Sequence, residues 1–225
     1  VAMGAYAGDA ITTGDWNVAI GKYALSSVQT TNSSTAVGTD ALSSSTGEQN
    51  TAVGYQAGVA NTSGNANVVM GFEALKTNQT GTYGTAVGYR ALNATTVSSN
   101  TAVGAFAGQA ISSGGSNVAV GTYSLMGGCT GSYNVAVGVS ALAAVTSGSE
   151  NVAIGRDAMN DINTGSQNVA VGHESLTKLQ GGTENVAVGF QALEATTGNS
   201  NTAVGWKAGE GNVSGQWNTA VGAMA

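Results

Sequence analysis

Asn151-Val152-Ala153-Ile154-Gly155 is followed by Asn168-Val169-Ala170-Val171-Gly172 and preceded by Asn134-Val135-Ala136-Val137-Gly138, one phrase returning every 17 residues. Its glycine recurs at Gly4, Gly21, Gly38, Gly54, Gly71, Gly88, Gly104, Gly121, Gly138, Gly155, Gly172, Gly189, Gly205 and Gly222. These 14 copies fill residues 1–225 as a single continuous array and leave no room for a separate domain. A period this short lies below that of helical-hairpin repeats and propeller blades. It suits one turn of a β-solenoid, in which each turn meets only its neighbours. The expected fold is therefore all-β, a parallel β-roll or β-solenoid of about 14 rungs with a 17-residue period. At ~4.8 Å per rung the array would be roughly 65 Å long.

Counting from the glycine as zero, position −1 is β-branched in most copies, as at Val137, Ile154 and Val171, and position −3 is Val or Thr, as at Val18, Thr35, Val118 and Thr202. Residues two apart share one face of a strand. Position −2 is alanine in every copy except Val69. With the glycine it makes the opposite side small. A half-exposed strand should alternate apolar with polar, and this one does not, so both faces are expected to be buried. One lines the interior of the roll, and the other is expected to pack on another copy of the chain. Position +3 is alanine, or serine at Ser124 and Ser175, and position +4 is mostly leucine, with Gly8, Gly58, Gly108 and Gly209 as exceptions. Leu25, Leu42, Leu75, Leu92, Leu125, Leu142, Leu176 and Leu193 should stack as an apolar column.

The rest of each rung is rich in Ser, Thr and Asn and often ends Thr-Gly-x-x-Asn, as at Thr46–Asn50 and Thr164–Asn168. Glycine three before the asparagine suggests a turn that needs positive φ. The asparagines, Asn134, Asn151 and Asn168 among them, should form an amide ladder along the axis, and the ladder would fix register.

Composition narrows function. The chain has 35 glycines and no proline, which would remove a ladder donor wherever it fell inside a strand. Charged residues make up 8% and the net charge is −6, so no basic stripe exists to meet nucleic-acid phosphates. No apolar run approaches a membrane-spanning helix. Cys129 is the only cysteine and His173 the only histidine. An intrachain disulfide, a His-centred triad and a multi-histidine metal site are thereby excluded. No connection carries the Gly-Gly-x-Gly-x-Asp turn of calcium-binding solenoids, and no glycine is followed by the Lys-Ser/Thr of a phosphate loop. Asp40, Glu73, Asp157 and Glu174 share position +2 among rungs of mixed character and read as a solvated face. No catalytic, cofactor-binding or metal-binding residue is expected, and the chain is not read as an enzyme. Aromatic residues at position +1, Tyr55, Phe72, Tyr89 and Trp206, are the candidates for surface binding, either on sugar faces or as interface anchors. Val1 and Ala225 both fall inside copies of the repeat, so a window on a longer fibre is expected.

The phrase Asn-Val-Ala-Ile-Gly at Asn17–Gly21 and Asn151–Gly155 resembles the repeat of the head domains of trimeric autotransporter adhesins. Asn50–Gly58 and Asn201–Gly209 are similar to repeats of bacteriophage tail fibres. The resemblance implies a left-handed roll, three parallel chains, and an extracellular, cell-surface or virion location. It also implies a fibre that acts as a stiff spacer and binds a host-surface glycan or receptor. Two other readings accompany it: a self-assembling extracellular filament, and a monomeric ice-binding solenoid presenting a threonine array.

Overall fold

The computed structural model describes every residue except Val28. It contains 14 short strands and, among the described residues, no helix. Residues Val1–Gly115 form one unit holding β1 (Ala2–Met3), β2 (Val18–Ile20), β3 (Thr35–Val37), β4 (Thr51–Val53), β5 (Val68–Met70), β6 (Thr85–Val87) and β7 (Thr101–Val103). Residues Ser116–Ala225 form a second, holding β8 (Val118–Val120), β9 (Val135–Val137), β10 (Val152–Ile154), β11 (Val169–Val171), β12 (Val186–Val188), β13 (Thr202–Val204) and β14 (Thr219–Val221). Within each unit every strand pairs in parallel with the next, in the register set by the repeat. Val135, Val152 and Val169 are opposite one another, as are Ala136, Ala153 and Ala170. Each unit is a parallel β-solenoid with one repeat per turn.

A rung closes on itself because its backbone turns at fixed places. Gly138 has φ 136°, and a Cβ there would lie 2.4 Å from the carbonyl oxygen of Gly155 in the next rung. Glycine is thus required twice over, by its dihedral and by the approach of the neighbouring backbone. The remaining turns use left-handed residues that are not glycine: position +2 (Asp157, φ 57°), position +4 (Leu142, φ 52°) and the residue before the asparagine (Gln167, φ 60°). The expected positive φ at the glycine three before the asparagine is corrected by this arrangement. Gly165 does not occupy the left-handed region. It is glycine because a Cβ would stand 2.4 Å from the carbonyl oxygen of Gly182.

The interior is a set of axial columns. Away from the terminal rungs, the −2 alanines, the +3 alanines and serines, and the +4 leucines are buried, Ala153, Ala158, Ser175 and Leu176 among them. The glycine exceptions at +4 have a packing role. A Cβ on Gly58, Gly108 or Gly209 would meet Cδ2 of Leu42, Leu92 or Leu193 from the preceding rung at 3.0, 2.8 and 2.8 Å, so each glycine receives its neighbour's leucine. Val69, the one departure from alanine at −2, brings its Cγ2 to 4.0 Å from the same space beside Gly58. A further buried column follows at position +7: Ser45, Asn61, Asn78, Thr95 and Ile111 in the first unit, and Val145, Ile162, Leu179 and Thr196 in the second. Cys129 occupies a buried position in the corresponding connection, its thiol donating to the Gly131 carbonyl at 3.3 Å.

The asparagines pin successive rungs. Asn151 Nδ2 donates to Asn134 Oδ1 at 3.1 Å and to the Gly165 carbonyl at 2.8 Å. Its own Oδ1 accepts from the backbone N–H of Asn168 at 3.0 Å and from Asn168 Nδ2 at 3.1 Å. The same scheme continues through Asn185, Asn201 and Asn218. A buried amide needs partners for all its polar groups, and here the next rung supplies them.

Candidate functional site

With the middle residue of each strand pointing inward, its two neighbours point out. The expectation of burial on both faces therefore holds, within one chain, for the alanine face only. The outward columns are apolar yet solvent-accessible: Val68 and Met70 are 44% and 47% exposed, Ile154 is 41% exposed, and Val137 and Val171 are half-buried. Position −3 supplies Thr35, Thr51, Thr85 and Thr101 in the first unit, broken by Val68, and position −1 supplies valine beside them. A regular two-column threonine lattice does not form.

Two residues beyond each outward valine lies position +1, where Tyr55, Phe72 and Tyr89 come together. Ring centroids of Tyr55 and Phe72 are 5.3 Å apart at 20°, and those of Phe72 and Tyr89 are 5.3 Å apart at 7°. Phe106 closes on Tyr89 edge-on at 5.1 Å, and the Arg90 guanidinium sits 5.4 Å from the Tyr89 ring centroid. Both faces of Phe72 are thus occupied, and the column offers solvent mainly ring edges. Trp206 lies in the second unit, stacked on Phe190 at 6.4 Å with Lys207 over its ring. The sequence singled out these four residues together; the structure places three in one ladder and the fourth in another.

Charged groups at position +2 are compensated locally. Glu73 is nearly buried and receives Lys76 Nζ at 2.6 Å and Arg90 Nε at 2.7 Å. The hydrogen bond from Lys76 lowers its carboxyl pKa below the usual range, burial opposes that shift, and Arg90 adds to it. Asp157, His173 and Glu174 gather on adjacent rungs with their ligand-type atoms within 4.8 Å of one another. The Arg156 guanidinium donates to His173 Nε2 and lies 3.7 Å from Asp157, while Gln191 donates to Glu174 at 2.6 Å. The arginine offsets one of the two carboxylate charges in this group. The adjacency was readable, because the two acids share position +2 on consecutive rungs; the arginine beside them is what the sequence reading did not use. Burial pushes the Cys129 thiol pKa up, which holds it in the unreactive protonated form.

Comparison with known proteins gives no match for the chain, whether against family models, curated proteins or solved structures. No helix among the described residues is long and apolar enough to cross a membrane.

Proposed function

We propose that this chain is a non-enzymatic segment of a structural fibre, built as a parallel homo-oligomer, with a trimer favoured, and working as a stiff spacer at a cell or virion surface. The observation that carries this reading is the outward strand face. Its −1 column of Val, Ile and Met repeats rung after rung beside Val or Thr at −3, and one chain leaves both columns at least partly accessible. A continuous apolar stripe of this kind marks an interaction surface. A partner of identical repeat would meet it in register within each unit, because both chains share one period. The half-exposed edges of Tyr55, Phe72 and Tyr89 border the same stripe and would serve as interface anchors. The resemblance to adhesin heads and tail-fibre repeats supports three as the copy number.

The test is a double substitution, Ile154→Glu with Val171→Glu. Both side chains point away from the interior, so the substitutions leave the packing inside the rung untouched and act on the outward face alone. Loss of the oligomer by native mass spectrometry, or loss of fold because the monomer cannot stand alone, is the expected result. A double variant with the mass and melting temperature of the parent would show that this face is not an interface.

A further inference from the structure

Four aromatic residues stand apart from the stacked columns. Trp16, Tyr83, Tyr133 and Trp217 occupy the position immediately before the asparagine slot, with φ of 58°, 58°, 61° and 54°. They are 84%, 69%, 65% and 79% exposed. Left-handed backbone is unfavourable for a bulky side chain, and an exposed ring gains little packing to offset it. The same slot on other rungs holds Ser33, Ala66, Ser99, Ser116 and Ser200, so folding itself asks for no ring here. Tyr83 and Tyr133 each have a rung on both sides within their own unit. Tyr83 lies between Ala66 and Ser99, and Tyr133 between Ser116 and Glu150. Neighbours this small leave the faces of Tyr83 open, in contrast to Phe72, whose two faces are taken by Tyr55 and Tyr89.

Polar groups line the same ridge. In the first unit Asn32 Nδ2 donates to Glu48 Oε1 at 2.6 Å, and the Glu48 N–H donates to Asn65 Oδ1 at 2.7 Å, one residue away from the ring slot. In the second unit the rungs between Tyr133 and Trp217 carry Glu150, Gln167, Glu184 and Ser200 in the slot itself. There Gln167 donates to Glu150 at 3.1 Å and Ser200 to Glu184 at 3.0 Å. Carboxylates and amides of this kind keep lone pairs free for hydroxyl donors.

We propose that this ridge, on each unit, binds an extended uncharged polysaccharide lying along the rung axis. Tyr83 in one unit and Tyr133 in the other stack on the C–H faces of pyranose rings, assisted by Trp16 and Trp217 respectively. Open aromatic faces, which the stacked column lacks, are what a sugar ring packs against. The carboxylates and amides between the rings accept from its hydroxyls. The rung spacing of ~4.8 Å is close to the advance of one sugar in an extended β-linked chain, so the ridge presents about one rung per sugar. Trp16 and Tyr83, four rungs apart, would bracket a stretch of roughly 19 Å. The net charge of −6 and the acidic groups on the ridge disfavour polyanions. The proposal stands apart from the fibre reading, because these rings lie on the connections and not on the outward strand face.

The test is affinity electrophoresis of the full chain through native gels containing mixed-linkage β-glucan, xylan, galactomannan or dextran. Retardation by at least one β-linked glycan is expected. It should weaken tenfold or more when Trp16, Tyr83, Tyr133 and Trp217 are all replaced by serine, the residue that several rungs already carry in this slot. The melting temperature of that variant should stay level or rise as backbone strain is relieved. If the fourfold variant fails to fold, Tyr83→Ser and Tyr133→Ser are read singly, each expected to weaken retardation. No retardation by any of the four polysaccharides overturns the proposal, as does retardation unchanged in the serine variants. Ring-dependent capture by phosphatidylcholine vesicles without glycan retardation would assign the ridge to a membrane surface and overturn it equally.

Discussion

Gly138→Ala is the smallest perturbation that addresses how the rungs stack. The glycine holds φ 136°, a region that residues with a side chain avoid, and occupying it costs about 1–3 kcal/mol. The added methyl would stand 2.4 Å from the Gly155 carbonyl oxygen and 2.6 Å from its carbon, both backbone atoms that can yield only by parting the two rungs. Overpacking of this kind adds a further ~1–3 kcal/mol, so the total is roughly 2–6 kcal/mol. Gly128→Ala is the control, since a Cβ there meets nothing within 4 Å and its φ lies outside the left-handed region. That change should be neutral or slightly stabilising. Urea denaturation followed by circular dichroism, analysed with nearest-neighbour coupling between rungs, measures both. A Gly138→Ala protein with the midpoint of its parent would refute the close stacking on which the fold rests.

Asn151→Ala removes a side chain whose partners include the Gly165 carbonyl and the Asn168 N–H, both without a ready substitute, and should cost roughly 2–5 kcal/mol. Denaturation against the parent checks it. Cys129 is fully buried with a raised thiol pKa, so a thiol-reactive dye should label the folded chain negligibly and the denatured chain fully. Rapid labelling without denaturant would contradict the placement. Glu73 has a pKa lowered chiefly by its hydrogen bond from Lys76, so its contribution to stability is present above the unfolded-state value. That contribution is lost as pH falls through the lower folded value. Melting temperatures of the parent and Glu73→Gln should therefore differ most near neutral pH and converge in acid; parallel curves would show that the ion pairs do not act on stability.

Much of the fold was legible because the constraints repeat. The period set the rung, and the leucines at +4 announced a buried column. The asparagine ladder followed from identical amides one rung apart. Less visible was which strand face points inward, since alanine and valine are both apolar and only the closure of the backbone decides between them. The left-handed positions carry Leu142, Asp157 and Gln167, residues without the glycine signature that normally betrays positive φ. The +7 column escaped notice because it mixes Ile111, Ile162 and Leu179 with Asn61, Asn78 and Thr95. The polar members Asn61 and Asn78 are tolerated inside because each caps a nearby glycine carbonyl, Gly64 or Gly81. For the candidate site, the aromatics could be counted from sequence. Whether a ring's faces are open or spent on its neighbours depends on what the next rung places beside it, and that needed coordinates.

The claim that this chain works as part of a parallel fibre is tested most directly by sedimentation equilibrium of the purified protein over a wide concentration range. A mass of about 66 kDa, three times the 22.0 kDa of one chain, persisting on dilution until the fold itself is lost, is the expected result. A folded species of 22.0 kDa at every concentration would contradict it.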